Sequence, residues 1–168
     1  MGGELVFLFV TLGLGDMIRN HCPEAGCLTR APAVIRIAGQ IGADIFQDED
    51  IGREVFLSLD LDRSYGPFQP VIAASFSSDA GSWAGIGARW QIGDDGFFGD
   101  LAFMPGIQFT DGPELGSDFL FRSALAVGYR FENGASLSFV IDHRSNFVFS
   151  DVNPGLETVG FRFSMPLD

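Results

Sequence analysis

From Ala33 onward one pattern recurs eight times: an apolar residue at every second position, in runs of roughly ten residues. Ala33, Ile35, Ile37, Ile41 and Ile45 alternate with Arg36, Gln40 and Asp44. Val55, Leu57, Leu59 and Leu61 alternate with Glu54, Ser58, Asp60 and Asp62. Similar runs begin at Phe68, Ala84, Leu101, Phe119, Leu137 and Val159. Successive side chains on a strand point to opposite faces, so a period of two predicts eight strands, each with one apolar face. A tilted strand of this length crosses a bilayer.

The connections alternate too. "RSYG", "GDDG" and "ENG" read as tight turns, and "QDEDIG", "TDGPELGS" and "FVFSDVNPG" as longer, more acidic loops; "SSDA" is a short exception. Short turns at one end and long loops at the other predict an all-β, eight-stranded antiparallel transmembrane β-barrel of the outer-membrane type. The long loops would be extracellular and both termini periplasmic. In "ENG", a three-residue loop pairing Phe131 with Ala135 keeps the two faces apart, whereas a two-residue turn would mix them.

The alternative is a soluble eight-stranded barrel with its apolar face inward. The residue types disfavour it. Phe, Leu and Ile dominate the apolar face, while the other face mixes Gly, Ala and Ser with charges of both signs. Small residues and ion pairs suit a narrow lumen. There Arg36, Arg122, Arg130 and Arg162 would meet Asp44, Glu54, Asp60 and Asp100. All ten basic residues are Arg, whose planar fork pairs well with carboxylates at low dielectric. The net charge of −12 excludes a basic footprint for nucleic acid.

Residues 1–30 read as an N-terminal lead-in and residues 31–168 as a single barrel domain. Residues 5–14, "LVFLFVTLGL", resemble a signal-peptide core, but Glu4 stands where a positive n-region belongs and no small-x-small cleavage site follows. A partial or degraded signal and an apolar lead-in are both compatible with this. Cys22 and Cys27 can close a small disulfide loop; with His21 alone they lack a fourth metal ligand. "DEDIGRE" lacks the ligand spacing of a calcium loop. "GSWAGIGAR" lies in a strand pattern, so it is no nucleotide loop.

Residues 142–157, "DHRSNFVFSDVNPGLE", break the pattern. On the seventh strand the apolar stripe Leu137, Phe139, Ile141 continues into His143 and Ser145. On the eighth, Glu157 precedes Val159, Phe161 and Phe163. All three polar residues therefore share the lipid side, which is costly unless they pair or work. A hairpin centred on Ser150 sets His143 across from Glu157, at about 5 Å between Cβ atoms. The order is that of a catalytic triad: Glu157 orients, His143 is the base, Ser145 the nucleophile. Asp142 is the rival carboxylate, but its parity turns it into the lumen. The bland alternative is a set of polar residues capping a hairpin at headgroup level.

"HRSN" at 143–146 and "NPGLE" at 153–157 resemble the lipid A 3-O-deacylase (PagL-type) family of outer-membrane enzymes, whose relatives are often labelled acyloxyacyl hydrolases. The resemblance implies that Ser145, His143 and Glu157 are the triad. It implies that Asn153 serves the oxyanion hole, with Asn146 and Gly155 as accessory residues. Phe147 stands where the family tends to have a small residue. The implied activity is hydrolysis of an ester-linked acyl chain of lipid A, at the 3-position, without a cofactor or metal. The implied partners are lipopolysaccharide and the outer membrane. The acidic loops would repel the phosphates of such a substrate unless divalent cations bridge them. A non-catalytic structural or adhesive barrel and a lipid acyltransferase are the competing functions.

Overall fold

The computed structural model describes residues 2–23, 26–93, 95–109, 112–147 and 150–167. Helix α1 (Gly2–Asp16) runs into a short π-helical turn (Met17–His21). Ten strands follow: β1 (Arg30–Pro32), β2 (Arg36–Phe46), β3 (Glu49–Asp60), β4 (Arg63–Tyr65), β5 (Phe68–Ser77), β6 (Ser82–Ile92), β7 (Gly96–Phe109), β8 (Phe119–Arg130), β9 (Ser136–Ser145) and β10 (Leu156–Pro166). Eight of them pair in the order β5-β3-β2-β10-β9-β8-β7-β6, all antiparallel, and β6 returns to β5. The sheet is thus a closed eight-stranded barrel with no free edge, as the alternation predicts.

The faces also fall as predicted. Outward residues such as Ile41, Ile86 and Phe161 are 68%, 64% and 62% exposed, and the belt they form runs around the wall. So much apolar surface is stable only against hydrocarbon. The lumen holds buried ion pairs. Arg122 bridges Glu54 and Asp142, at 2.5 and 2.6 Å, and Arg144 reaches Glu54 at 2.7 Å. Arg162 lies 3.5 Å from Asp100, and Arg89 the same distance from Asp60. Breaking one such buried pair costs about 3–5 kcal/mol, because it strands a charge.

Several details differ from the sequence reading. Arg36 donates to Ser164 Oγ and to the Gly134 carbonyl, and the Arg130 guanidinium lies over the Phe98 ring at 5.2 Å. The lumen also holds a plug of large residues: Phe56, Val71, Trp83, Met104, Leu120, Val140 and Leu156. An eight-stranded lumen is narrow, and bulky inward side chains fill most of the space beside the ion pairs. "QDEDIG" is not a long loop. Strands β2 and β3 extend to Phe46 and Glu49 and join through Gln47 and Asp48, both left-handed at φ 51° and 67°. Two consecutive left-handed residues make the tight hairpin turn whose twist matches the strands. "RSYG" contains β4, which pairs with β1. The "ENG" turn is as predicted: the Phe131 N–H donates to the Ala135 carbonyl at 2.8 Å, with Gly134 at φ 78°.

Helix α1 packs on the outer wall. Phe9 joins Trp90 and Leu101 in one buried cluster, and its ring lies 5.5 Å from Phe68 and 6.2 Å from Phe103. The Trp90 indole donates to Asp16 Oδ2 at 2.8 Å. Cys22 and Cys27 are joined as a disulfide. Among the described residues, no helix is long and apolar enough to cross a membrane.

Candidate active site

Strand β9 carries two chemistries on its two faces. Even positions point inward: Asp142 accepts from Arg122 and from Gln40 Nε2 at 3.1 Å. Odd positions point outward and bring His143 and Ser145 to the end of the stripe Leu137, Phe139, Ile141. The long loop returns β10 in the register that the centring on Ser150 requires, with Glu157 directly opposite His143. His143 Nδ1 lies 2.9 Å from Glu157 Oε1. A carboxylate only accepts, so in a neutral imidazole paired this way Nδ1 carries the proton and Nε2 keeps its lone pair. His143 and Ser145 are 8% and 9% exposed, so both are largely shielded.

Among the described residues, no hydrogen bond joins the Ser145 hydroxyl to the imidazole. The two side chains stand on one face of β9, two residues apart. Catalytic hydrogen bonds are commonly loose without substrate and tighten in the complex.

The loop above is held by asparagines. Asn146 is fully buried, and its Nδ2 donates to the Leu115 and Val152 carbonyls at 2.7 and 2.6 Å. It therefore ties the β7–β8 loop to the β9–β10 loop. The Asn146 backbone N–H donates to Asn153 Oδ1 at 3.2 Å, and Asn153 Nδ2 donates to the Phe147 carbonyl at 2.9 Å. One hydrogen of the Asn153 amide is thus used inside the loop. The backbone N–H after the serine, a common oxyanion donor, is already engaged.

Gly155 is needed twice over. Its φ is 76°, and a Cβ there would lie 2.5 Å from His143 Cε1 and 3.2 Å from Nε2. The imidazole rests against this bare backbone on one side and against Glu157 on the next strand.

Two neighbours on β8 escaped the sequence reading. Phe121 lies directly across from Ser145, and Ser123 directly across from His143. Ser123 interrupts the outward stripe Phe119, Phe121, Leu125, Val127 as His143 and Ser145 interrupt theirs. That break, with the Phe131–Ala135 turn fixing the β8–β9 register, was the available signal. Among the described residues, no three His, Cys, Asp or Glu side chains cluster as metal ligands. A mostly apolar hollow lined by Phe97, Tyr129, Leu137 and Phe161 lies at the tight-turn end, away from His143.

Comparison with curated protein sequences gives no match. The fold is similar to the crystal structure of the outer membrane enzyme PagL. The superposition has a TM-score of 0.64 at 19% identity, covering 79% of this chain and 99% of that one. Residues 75–166, from the end of β5 through β10, match the sequence model of the family described as lipid A 3-O-deacylase (PagL). That segment is more than half of the 168 residues and includes every residue of the site just described. The chain belongs to the lipid A 3-O-deacylase (PagL) family.

Proposed function

We propose that this protein is an outer-membrane esterase that removes the ester-linked acyl chain at the 3-position of lipid A, using Ser145, His143 and Glu157. One observation carries the reading: a histidine–carboxylate pair at 2.9 Å on the lipid side of the wall, with a serine next along the same stripe. Polar groups in that position are expensive unless used. Substrate would arrive laterally, its phosphosugar at the loops and its chains in the bilayer.

His143 Nε2 takes the Ser145 proton as Oγ attacks the ester carbonyl. The second hydrogen of the Asn153 amide would donate to the developing oxyanion. The tetrahedral intermediate collapses, and the leaving sugar oxygen takes the proton back from the imidazolium. Water, deprotonated by His143, then attacks the acyl-serine. The products are a free fatty acid and the original serine. Glu157 holds the tautomer and offsets the imidazolium charge throughout.

A long-chain alkyl fluorophosphonate tests the nucleophile. It should label wild-type protein in detergent at Ser145, identified by peptide mapping, and leave Ser145→Ala unlabelled. An unlabelled wild type would favour a non-catalytic barrel. Transfer of the chain to a second lipid, in place of fatty acid release, would favour an acyltransferase.

A further inference from the structure

Outward side chains on the barrel wall are exposed over most of its surface and lose that exposure along one diagonal. On β7, Phe97 and Ile107 are exposed, and Leu101 between them is buried. On β8, Val127 and Phe119 are exposed, and Ser123 between them is only 2% exposed. On β9, Leu137 and Phe139 are exposed, and His143 is buried. Leu125 and Phe103 pack on the same cluster as Leu101 and Trp90. Phe103 stands directly across from Ser123, and Ser123 directly across from His143. The shadow therefore runs from Trp90 on β6 to His143 on β9.

Helix α1 casts it. Its wall-facing residues are Leu5, Phe9 and Gly13, four apart and so on one stripe. Asp16 and Gly13 sit at Trp90 and Phe68; a Cβ at Gly13 would lie 2.6 Å from the Phe68 ring. Phe9, one turn on, lies against Phe103. Leu5 is a further turn along, about 6 Å up the axis. It is as buried as Phe9, and α1 also contacts β8 and β9. The helix thus crosses the wall from β5 and β6 toward the site.

The other side of α1 carries Phe7, Val10, Leu12 and Leu14, all exposed and apolar, which suits hydrocarbon. Its base is fastened by the Asp16–Trp90 hydrogen bond, and the chain beyond it by the Cys22–Cys27 disulfide and the β1–β4 pairing. Apolar contact between a helix and a wall gains little over contact with lipid, so a lipid can take the place of the covering part at small cost.

Taking Ser145, His143 and Glu157 as the site proposed above, we infer that α1 is an inhibitory strap. It covers the β8 side of His143, and a lipid substrate engages the site by displacing it about its fastened base. The strap competes with substrate for the wall and leaves the chemistry alone. It therefore raises KM in inverse proportion to the open fraction, with kcat unchanged.

The test assays the full chain in detergent on purified lipid A, with wild type, Phe9→Ala, Gly13→Leu and Phe7→Ala. All three changes lie outside the closed barrel, and heat-modifiable gel migration checks that the barrel is intact. Phe9→Ala deletes the central wall contact, and Gly13→Leu drives the helix off Phe68. Each should lower KM roughly 10-fold at constant kcat. Phe7→Ala, on the lipid side, should match wild type. An unchanged KM in Phe9→Ala and Gly13→Leu overturns the strap, as does a lower kcat, which would make α1 a support of the site. The same gain in Phe7→Ala would overturn the assignment of helix faces on which the strap rests. Lipid A left intact by all four proteins overturns the hydrolase reading; hydrolysis at one common rate overturns the strap alone. The intact mass of protein extracted from outer membranes should include Gly2–Asp16, and their loss would overturn the strap as a device of the mature protein.

Discussion

Asp142 and His143 are consecutive residues on one strand, yet they meet opposite worlds. Asp142 is buried in the lumen between Arg122 and Gln40. His143 faces the lipid wall, paired with a carboxylate from the next strand. Both are polar groups in a low-dielectric place, and both have partners. The inward group belongs to a network that fills a narrow barrel. The outward group pairs where aliphatic side chains would serve stability better. The difference teaches how to find chemistry in a membrane barrel: look for polar residues on the wrong parity, then ask what stands across the strand.

The sharpest break of that contrast comes from the outward set. Ser145→Ala and His143→Ala should each lower lipid A deacylation by as much as about 10⁶-fold, as in the best-measured triad. Their heat-modifiable gel migration should match wild type, since each change removes a small outward group. Glu157→Gln should cost less, on the order of 10⁴-fold, because an orienter matters less than base or nucleophile. Assays of purified protein in detergent would rank all three.

The inward set should fail differently. Asp142→Asn leaves Arg122 with Glu54 as its remaining ionic partner, and the barrel should lose about 3–5 kcal/mol of stability. Denaturant unfolding in detergent reads this as a lower midpoint, while turnover per folded molecule changes little. If Asp142→Asn abolishes turnover and Glu157→Gln does not, the assignment of faces is wrong. Asn153→Ala should slow turnover by about 10²- to 10³-fold without altering KM greatly, the usual cost of one oxyanion donor. Gly155→Ala would press a methyl group onto the imidazole; displacing the base by about 1 Å should cost on the order of 10²-fold.

Much of this was legible in the sequence because a barrel wall imposes a strict period. Eight alternating runs specified eight strands, and the centring on Ser150 set His143 against Glu157. Where polarity stopped tracking the membrane, the reading failed. Gln47 and Asp48 make a tight turn in an acidic stretch because the β2–β3 hairpin carries its backbone pairing through charged residues that read as loop. The lumen plug was hidden because Phe56, Trp83 and Met104 look like wall residues when met one at a time. Phe121 and Ser123 were hidden because their relation to the site lies in cross-strand register and not in spacing along the chain. The Asn146 tie to Leu115 joins two loops and has no local signature at all.

Mass spectrometry of lipid A from outer membranes bearing the wild-type protein or Ser145→Ala reads the central claim directly. The wild-type spectrum should show lipid A lighter by one acyl chain, with that fatty acid released in equal amount. The Ser145→Ala spectrum should show lipid A intact. Intact lipid A in both, or the same deacylated species in both, would contradict a lipid-facing Ser145–His143–Glu157 site as the source of the activity.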